Sequence, residues 1–209
     1  MAAFHPQDRA GDRPSRLALA LYRIGQAVQM MLRRRAQAHG LSAAQLQALL
    51  FLAHARPGVR TVSGLAQRLG ATMATASEVA DALERKGLIA RAPWPAHRRT
   101  IILRLTPQGE ALVPTLEGAL EDLEGLLRDL PEPDQIALER ILQEVVRRLA
   151  AAGHVAIYEM CWGCAFFRPH AHPDDPRGPH HCAFMNAPLP EADTYTECPD
   201  FIPREVEIR

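Results

Sequence analysis

The sequence predicts a mostly helical protein with one small β-hairpin between long helices, followed by an irregular cysteine-rich tail. Three observations lead there. As far as Ala151, apolar residues recur mostly at spacings of three and four, the mark of amphipathic helices. That period breaks once, between Leu88 and Leu105, where β-branched and apolar residues run together. Beyond Gly153 the periodicity stops, and all four cysteines lie there.

Each element has its own signals. Leu17, Leu21, Ile24, Val28, Met31 and Leu32 mark a helix from Ser15 to about Ala38, ended by Gly40. Ser42 with Gln45 is a capping box for a second helix carrying Leu46, Leu49, Leu50 and Leu52, stopped by Pro57-Gly58. A short helix follows from Thr61 to Gly70, and Thr72 caps the next, Met73 to Lys86, ended by Gly87. Leu88 to Arg91 reads as a strand, Ala92 to His97 as a rigid two-proline loop, and Arg99 to Leu105 as the return strand. Thr106-Pro107 opens a long helix with a stripe of Leu112, Leu116, Leu120, Leu123 and Leu127. Pro131-Glu-Pro133 breaks it, and a last helix runs from Asp134 to about Ala151. The expected organisation is a flexible N-terminus over 1–14, a helical domain over 15–152 and a cysteine-rich segment over 153–209.

Composition narrows the class. Apolar residues at 47% and charged residues at 23% are ordinary for a folded soluble protein. The N-terminus lacks the apolar core of a secretory signal, and no apolar run is long enough to span a bilayer, so the expected location is the cytoplasm, without a membrane partner. The net charge of zero hides an uneven distribution. Residues 85–104 hold Arg85, Lys86, Arg91, Arg98, Arg99 and Arg104 without an acid, while 110–144 hold ten acids against two arginines. A basic stretch of that kind can grip phosphate.

Helix, tight turn, second helix and a hairpin with a basic loop is the winged helix-turn-helix order. In that arrangement the second helix offers its first turns to the DNA major groove, and the wing reaches phosphate or the minor groove. Ala76, Val79, Ala80 and Leu83 form the inward stripe of the second helix, leaving Met73, Thr75, Ser77 and Glu78 outward. The expected DNA contacts are Thr72, Met73, Thr75 and Ser77 on the helix, and Arg98 and Arg99 on the wing.

The residues Leu65-Ala-Gln-Arg-Leu-Gly70, Thr75-Ala-Ser-Glu-Val-Ala-Asp-Ala-Leu-Glu-Arg-Lys-Gly-Leu-Ile89 and Leu103-Arg-Leu-Thr-Pro-Gln-Gly109 resemble the MarR family of transcriptional regulators. The resemblance covers roughly Ser15 to Ala151. It implies a homodimer built on the first and last two helices and a palindromic double-stranded operator. It also implies a small-molecule effector bound between the dimerisation and DNA-binding regions, to which no residue here commits. One departure stands out: where the family usually has an Asp-Arg pair at the wing tip, this chain has His97 followed by Arg98 and Arg99, behind Pro93-Trp94-Pro95.

Cys161 and Cys164 form a C-x2-C, followed by Cys182 and Cys198. Disulfides are disfavoured in a reducing cytosol. Four thiolates hold zinc or an iron–sulfur cluster equally well, and a short loop-rich segment needs such a staple. The split second pair, Cys198-Pro199 and the nearby Trp162, Phe166 and Phe184 favour the cluster narrowly over zinc. His170, His172, His180 and His181 are substitutes for a cysteine ligand, His181 foremost, though each alone reads as an exposed loop histidine.

No nucleotide-binding loop, metallohydrolase motif or nucleophile triad supports an enzyme. The reading is therefore a DNA-binding regulator, a repressor, with a cluster that senses redox or iron state. Its rivals are the same regulator with structural zinc and a small-molecule signal, a small cluster-bearing redox enzyme, and a winged-helix module that binds another protein.

Overall fold

A computed structural model of the protein describes residues 4–94, 97–154, 161–196, 198, 200–202 and 204; the side chains of Asp8, Arg9, Pro57, His97, Arg98, Ala150 and Ala151 lie outside this description. Eight α-helices are described: α1 (Pro6–Gly11), α2 (Arg13–Ala38), α3 (Ala43–His54), α4 (Val62–Leu69), α5 (Met73–Arg85), α6 (Pro107–Glu117), α7 (Glu121–Arg128) and α8 (Glu132–Ala151). The hairpin is β1 (Ile89–Trp94) with β2 (His97–Leu105), and the tail holds β3 (Phe167–Arg168), β4 (His180–Cys182) and β5 (Ala187–Leu189). Among the described residues no helix is long and apolar enough to cross a membrane.

The local signals act as their chemistry requires. Ser42 and Gln45 form both halves of the capping box on α3. Thr61, Thr72 and Thr106 each accept the backbone N–H three residues on, starting α4, α5 and α6. Gly70 closes α4 at φ 58°, a conformation that suits glycine, and so sets the tight turn before α5.

The core gathers Leu46, Leu49, Phe51 and Leu52 of α3 against Leu65 of α4, Ala76, Ala80 and Leu83 of α5, Leu103 of β2 and Leu116 of α6, all almost fully buried. Close backbone approach is part of this packing. A methyl group at Gly64 would collide with the Val59 carbonyl oxygen, so α4 can sit against the turn at Pro57–Val59 only with glycine there.

Four differences from the sequence reading have physical causes. Within residues 1–14, read as flexible, Pro6 starts α1, and Phe4 meets Tyr22 edge-on with ring centroids 5.2 Å apart. The strands extend to Trp94 and back from His97, so the two-proline loop is shorter than expected. The long helix after Pro107 divides at a 3₁₀ turn over Gly118–Leu120, following Pro114, which cannot donate to the helix ladder. The tail contains a three-stranded antiparallel sheet, β3-β4-β5, where only irregular chain was expected.

Candidate nucleic-acid interface and four-thiol centre

The α4–α5 unit buries one face and presents the other. Ala76, Ala80 and Leu83 are fully buried, which turns the N-terminal end of α5 outward. Thr72, Met73 and Thr75 are exposed there, and Ser77 is half-buried. The Thr72 hydroxyl accepts the Thr75 N–H at 3.2 Å, and the two hydroxyls lie 3.0 Å apart. A capped, exposed first turn with small hydroxyl side chains combines the positive end of a helix dipole with donors and acceptors of short reach.

The basic segment is less available than its composition suggests. Arg91 bonds to Asp81 at 2.6 Å and to Glu84, tying β1 to α5; these partners raise its pKa further, the Asp81 hydrogen bond most. Lys86 donates to the Gly40 carbonyl at 2.6 Å and to Gln45 Oε1 at 2.9 Å. Arg104 faces a cavity of about 590 Å³ shared with Arg60, Trp94 and Glu110, bounded by α3, the hairpin and α6. Burial, followed by the charge of Arg104, lowers the pKa of Arg60. Arg85, Lys86, Arg99 and Arg104 are exposed. The backbone of Arg98 belongs to β2, while its side chain, expected to contact DNA, lies outside the described residues.

The tail brings the four expected thiols together. Cys161 opens a 3₁₀ turn, Cys164 follows with its N–H donating to the Cys161 carbonyl at 2.8 Å, Cys182 ends β4 and Cys198 lies near the end of the chain. All four are buried and free, and they line one cavity with Arg56, Phe166, Phe167, Phe184, Asp200 and Phe201. Burial pushes the Cys161 thiol up to about 11, against the opposing pull of Arg56. Burial also raises Cys198, opposed by the hydrogen bond from the Asp200 N–H. Among the described residues, no group of three or more His, Cys, Asp or Glu is placed to hold a single metal ion. The four thiols thus line one shared cavity.

The histidines are assigned by their partners. His180 is fully buried; its Nδ1 accepts the His170 N–H at 3.1 Å, so Nε2 carries the proton and faces Glu191 Oε2 at 2.5 Å. That bond is the first cause holding the Glu191 carboxyl below its usual range. With both ring nitrogens occupied, His180 is a structural member of the tail core rather than an exposed loop residue. It lies between Trp162, 5.5 Å away by ring centroids, and Phe167 at 5.2 Å. His181 points to the opposite face of β4 from Cys182 and meets His172 at 3.0 Å between ring nitrogens, so it is no ligand of the thiol centre. The sequence reading missed Arg56, Asp200 and the His180–Glu191 pair. A strand over His180–Cys182 would have shown, by alternation, that His180 and not His181 shares the Cys182 face.

Residues 39–100 match the model of the MarR family. The segment folds as a winged helix and is similar to the MarR family. The transcriptional regulator PA3341 is 28% identical, with a TM-score of 0.58 over 65% of this chain and 98% of its own. CouR from Rhodococcus jostii RHA1, solved bound to p-coumaroyl-CoA, is 20% identical, with a TM-score of 0.53 over 62% of this chain and 90% of its own. A MarR family protein from Bacillus stearothermophilus is 21% identical, with a TM-score of 0.54 over 65% of this chain and 94% of its own. No curated protein matches the chain in sequence. Each neighbour is thus almost fully covered by the helical domain, while about a third of this chain lies outside the match.

Proposed function

We propose that the chain is a homodimeric, DNA-binding transcriptional repressor of MarR type, with an iron–sulfur cluster on Cys161, Cys164, Cys182 and Cys198. The observation that carries the DNA reading is the exposed first turn of α5, with Thr72, Met73 and Thr75 beside a wing bearing Arg99. The likeness to PA3341, a transcriptional regulator, supports it. A second copy of the chain is the natural cover for the apolar stripes left outside the core. These are Leu17, Leu21 and Ile24 on α2, Leu126 and Leu127 on α7, and Ile136, Ile141 and Leu149 on α8. Such a dimer would present two α5 helices to successive major grooves of a palindromic site.

The metal reading rests on four free thiols lining one aromatic-walled cavity. The choice of a cluster over zinc rests on the split spacing of the second cysteine pair and on Cys198-Pro199. Oxidation or loss of iron would then be the signal. Zinc is the rival occupant, and metal analysis separates the two.

DNA selection tests the central reading. The full-length protein should retain specific duplexes from a random pool, and those duplexes should contain an inverted repeat. Retention of no sequence above background would overturn it. A small-molecule signal is the second reading, favoured by the Arg60–Arg104 pair beside Trp94 in the cavity of about 590 Å³, which suits an anionic aromatic compound. A thermal shift with aromatic carboxylates that disappears in Arg60→Gln is its expected result, and no shift with any of them would dismiss it.

A further inference from the structure

We infer that occupancy of the four-thiol centre fixes the wing through residues 56–60, so that the metal-loaded protein is the form that grips DNA. This rests on the reading of the centre as a metal site, but not on which metal fills it.

The loop has the centre on one side and the hairpin on the other. Arg56 lines the thiol cavity, and its guanidinium also donates to Met185 Sδ at 3.4 Å, in the tail. Directly after it, the chain makes a 3₁₀ turn whose last residue, Val59, is buried and donates its N–H to the Arg56 carbonyl at 3.1 Å. Arg60 then folds back, its Nε donating to the Ala55 carbonyl at 2.7 Å. These bonds close 55–60 into one hydrogen-bonded unit.

Both wing strands are anchored to that unit. The Arg60 carbonyl accepts the Leu103 N–H of β2 at 2.6 Å. Gly58 lies against Trp94 of β1, so closely that a methyl group there would come 3.3 Å from Trp94 Cη2. A displacement of Arg56 is therefore passed to β1 through a ring contact and to β2 through a backbone hydrogen bond.

Loading the centre changes the charge that Arg56 meets. Four thiolates around a divalent ion, or around a cluster core of the same charge, sum to a net charge of about −2. A half-buried guanidinium beside the cavity is drawn in by the loaded centre and released by the empty one. Drawn in, it holds the turn and with it the wing; released, it lets the hairpin fluctuate, and the wing's grip on DNA weakens at the entropic cost of reordering it.

Hydrogen–deuterium exchange on the full-length protein, metal-loaded and chelator-stripped, tests this without a known operator. Iron, sulfide and zinc are measured on the same samples. In the wild type, stripping should speed exchange of peptides spanning 89–105 at least tenfold. Arg56→Gln, loaded to the same metal content, should exchange like the stripped wild type, and Arg56→Lys should restore the protection. Should Arg56→Gln fail to retain metal, Gly58→Val displaces Trp94 without touching the centre and should lose wing protection at full metal content. Equal wing exchange in loaded and stripped wild type, or full protection in loaded Arg56→Gln or Gly58→Val, overturns the coupling alone. A protein that takes up neither iron nor zinc overturns the metal reading beneath it.

Discussion

The winged-helix domain and the tail close their cores with different chemistry. In the first, Leu46, Leu49, Leu52, Leu65, Leu83 and Leu116 fill the space between helices, and aliphatic burial of this kind holds a fold without covalent help. In the second, the buried cluster is Cys161, Cys164, Phe167 and Leu189, with His180 and Thr194 buried beside it. Thiols and a histidine contribute little hydrophobic free energy, and strands of two or three residues add few ladder bonds. The first region is a fold that sequence periodicity encodes; the second is a fold that, on the proposed reading, a bound metal completes.

The sharpest way to break this contrast is to strip the metal that the proposed reading places in the tail. Chelation, or Cys182→Ser, should abolish exchange protection across 161–198 and loosen the wing, while leaving the buried helices α3 to α6 protected. Loss of protection in those helices as well would show one cooperative unit and erase the distinction. The converse substitution, Leu65→Ala, should cost the helical domain about 2–5 kcal/mol in thermal unfolding while leaving the metal content unchanged. At the DNA surface, replacing Arg98 and Arg99 together with Ala should weaken binding to selected duplexes and reduce the salt slope by about 0.9 for each phosphate no longer neutralised. An unchanged slope would remove the wing from the interface. Thr72→Ala should lower stability by about 1 kcal/mol through loss of the α5 cap, so its effect on DNA must be compared with that baseline.

The smallest effect concerns pH. Glu144 is held at about 2 by hydrogen bonds from Arg147 and Arg148. A depressed carboxyl stabilises the folded state above its unfolded pKa, near 4.5, and loses that contribution as the pH falls toward 2. Because the pair is solvent-exposed, Glu144→Gln should flatten this acid dependence only slightly.

The same contrast explains what the sequence could reveal. Ser42, Thr61, Thr72 and Thr106 each act within three residues of their targets, so helix starts were legible, as were the inward residues of α5. The break at Gly118 was not, because the leucine stripe from Leu112 to Leu127 continues across it. In the tail, cysteine spacing announced a common site, but the placement of Arg56 at its edge depends on packing between distant parts of the chain. The fate of Arg91 and Lys86 was hidden for a related reason: a count of charges in one segment omits Asp81, Glu84 and the Gly40 carbonyl, which take them up.

The most direct measurement is a visible absorption spectrum with iron, acid-labile sulfide and zinc determination on protein purified without oxygen. The protein should be brown, with iron and sulfide matching one cluster per chain, and should lose its colour in Cys182→Ser. A colourless protein with one zinc per chain would contradict the cluster and leave the tail a structural zinc module.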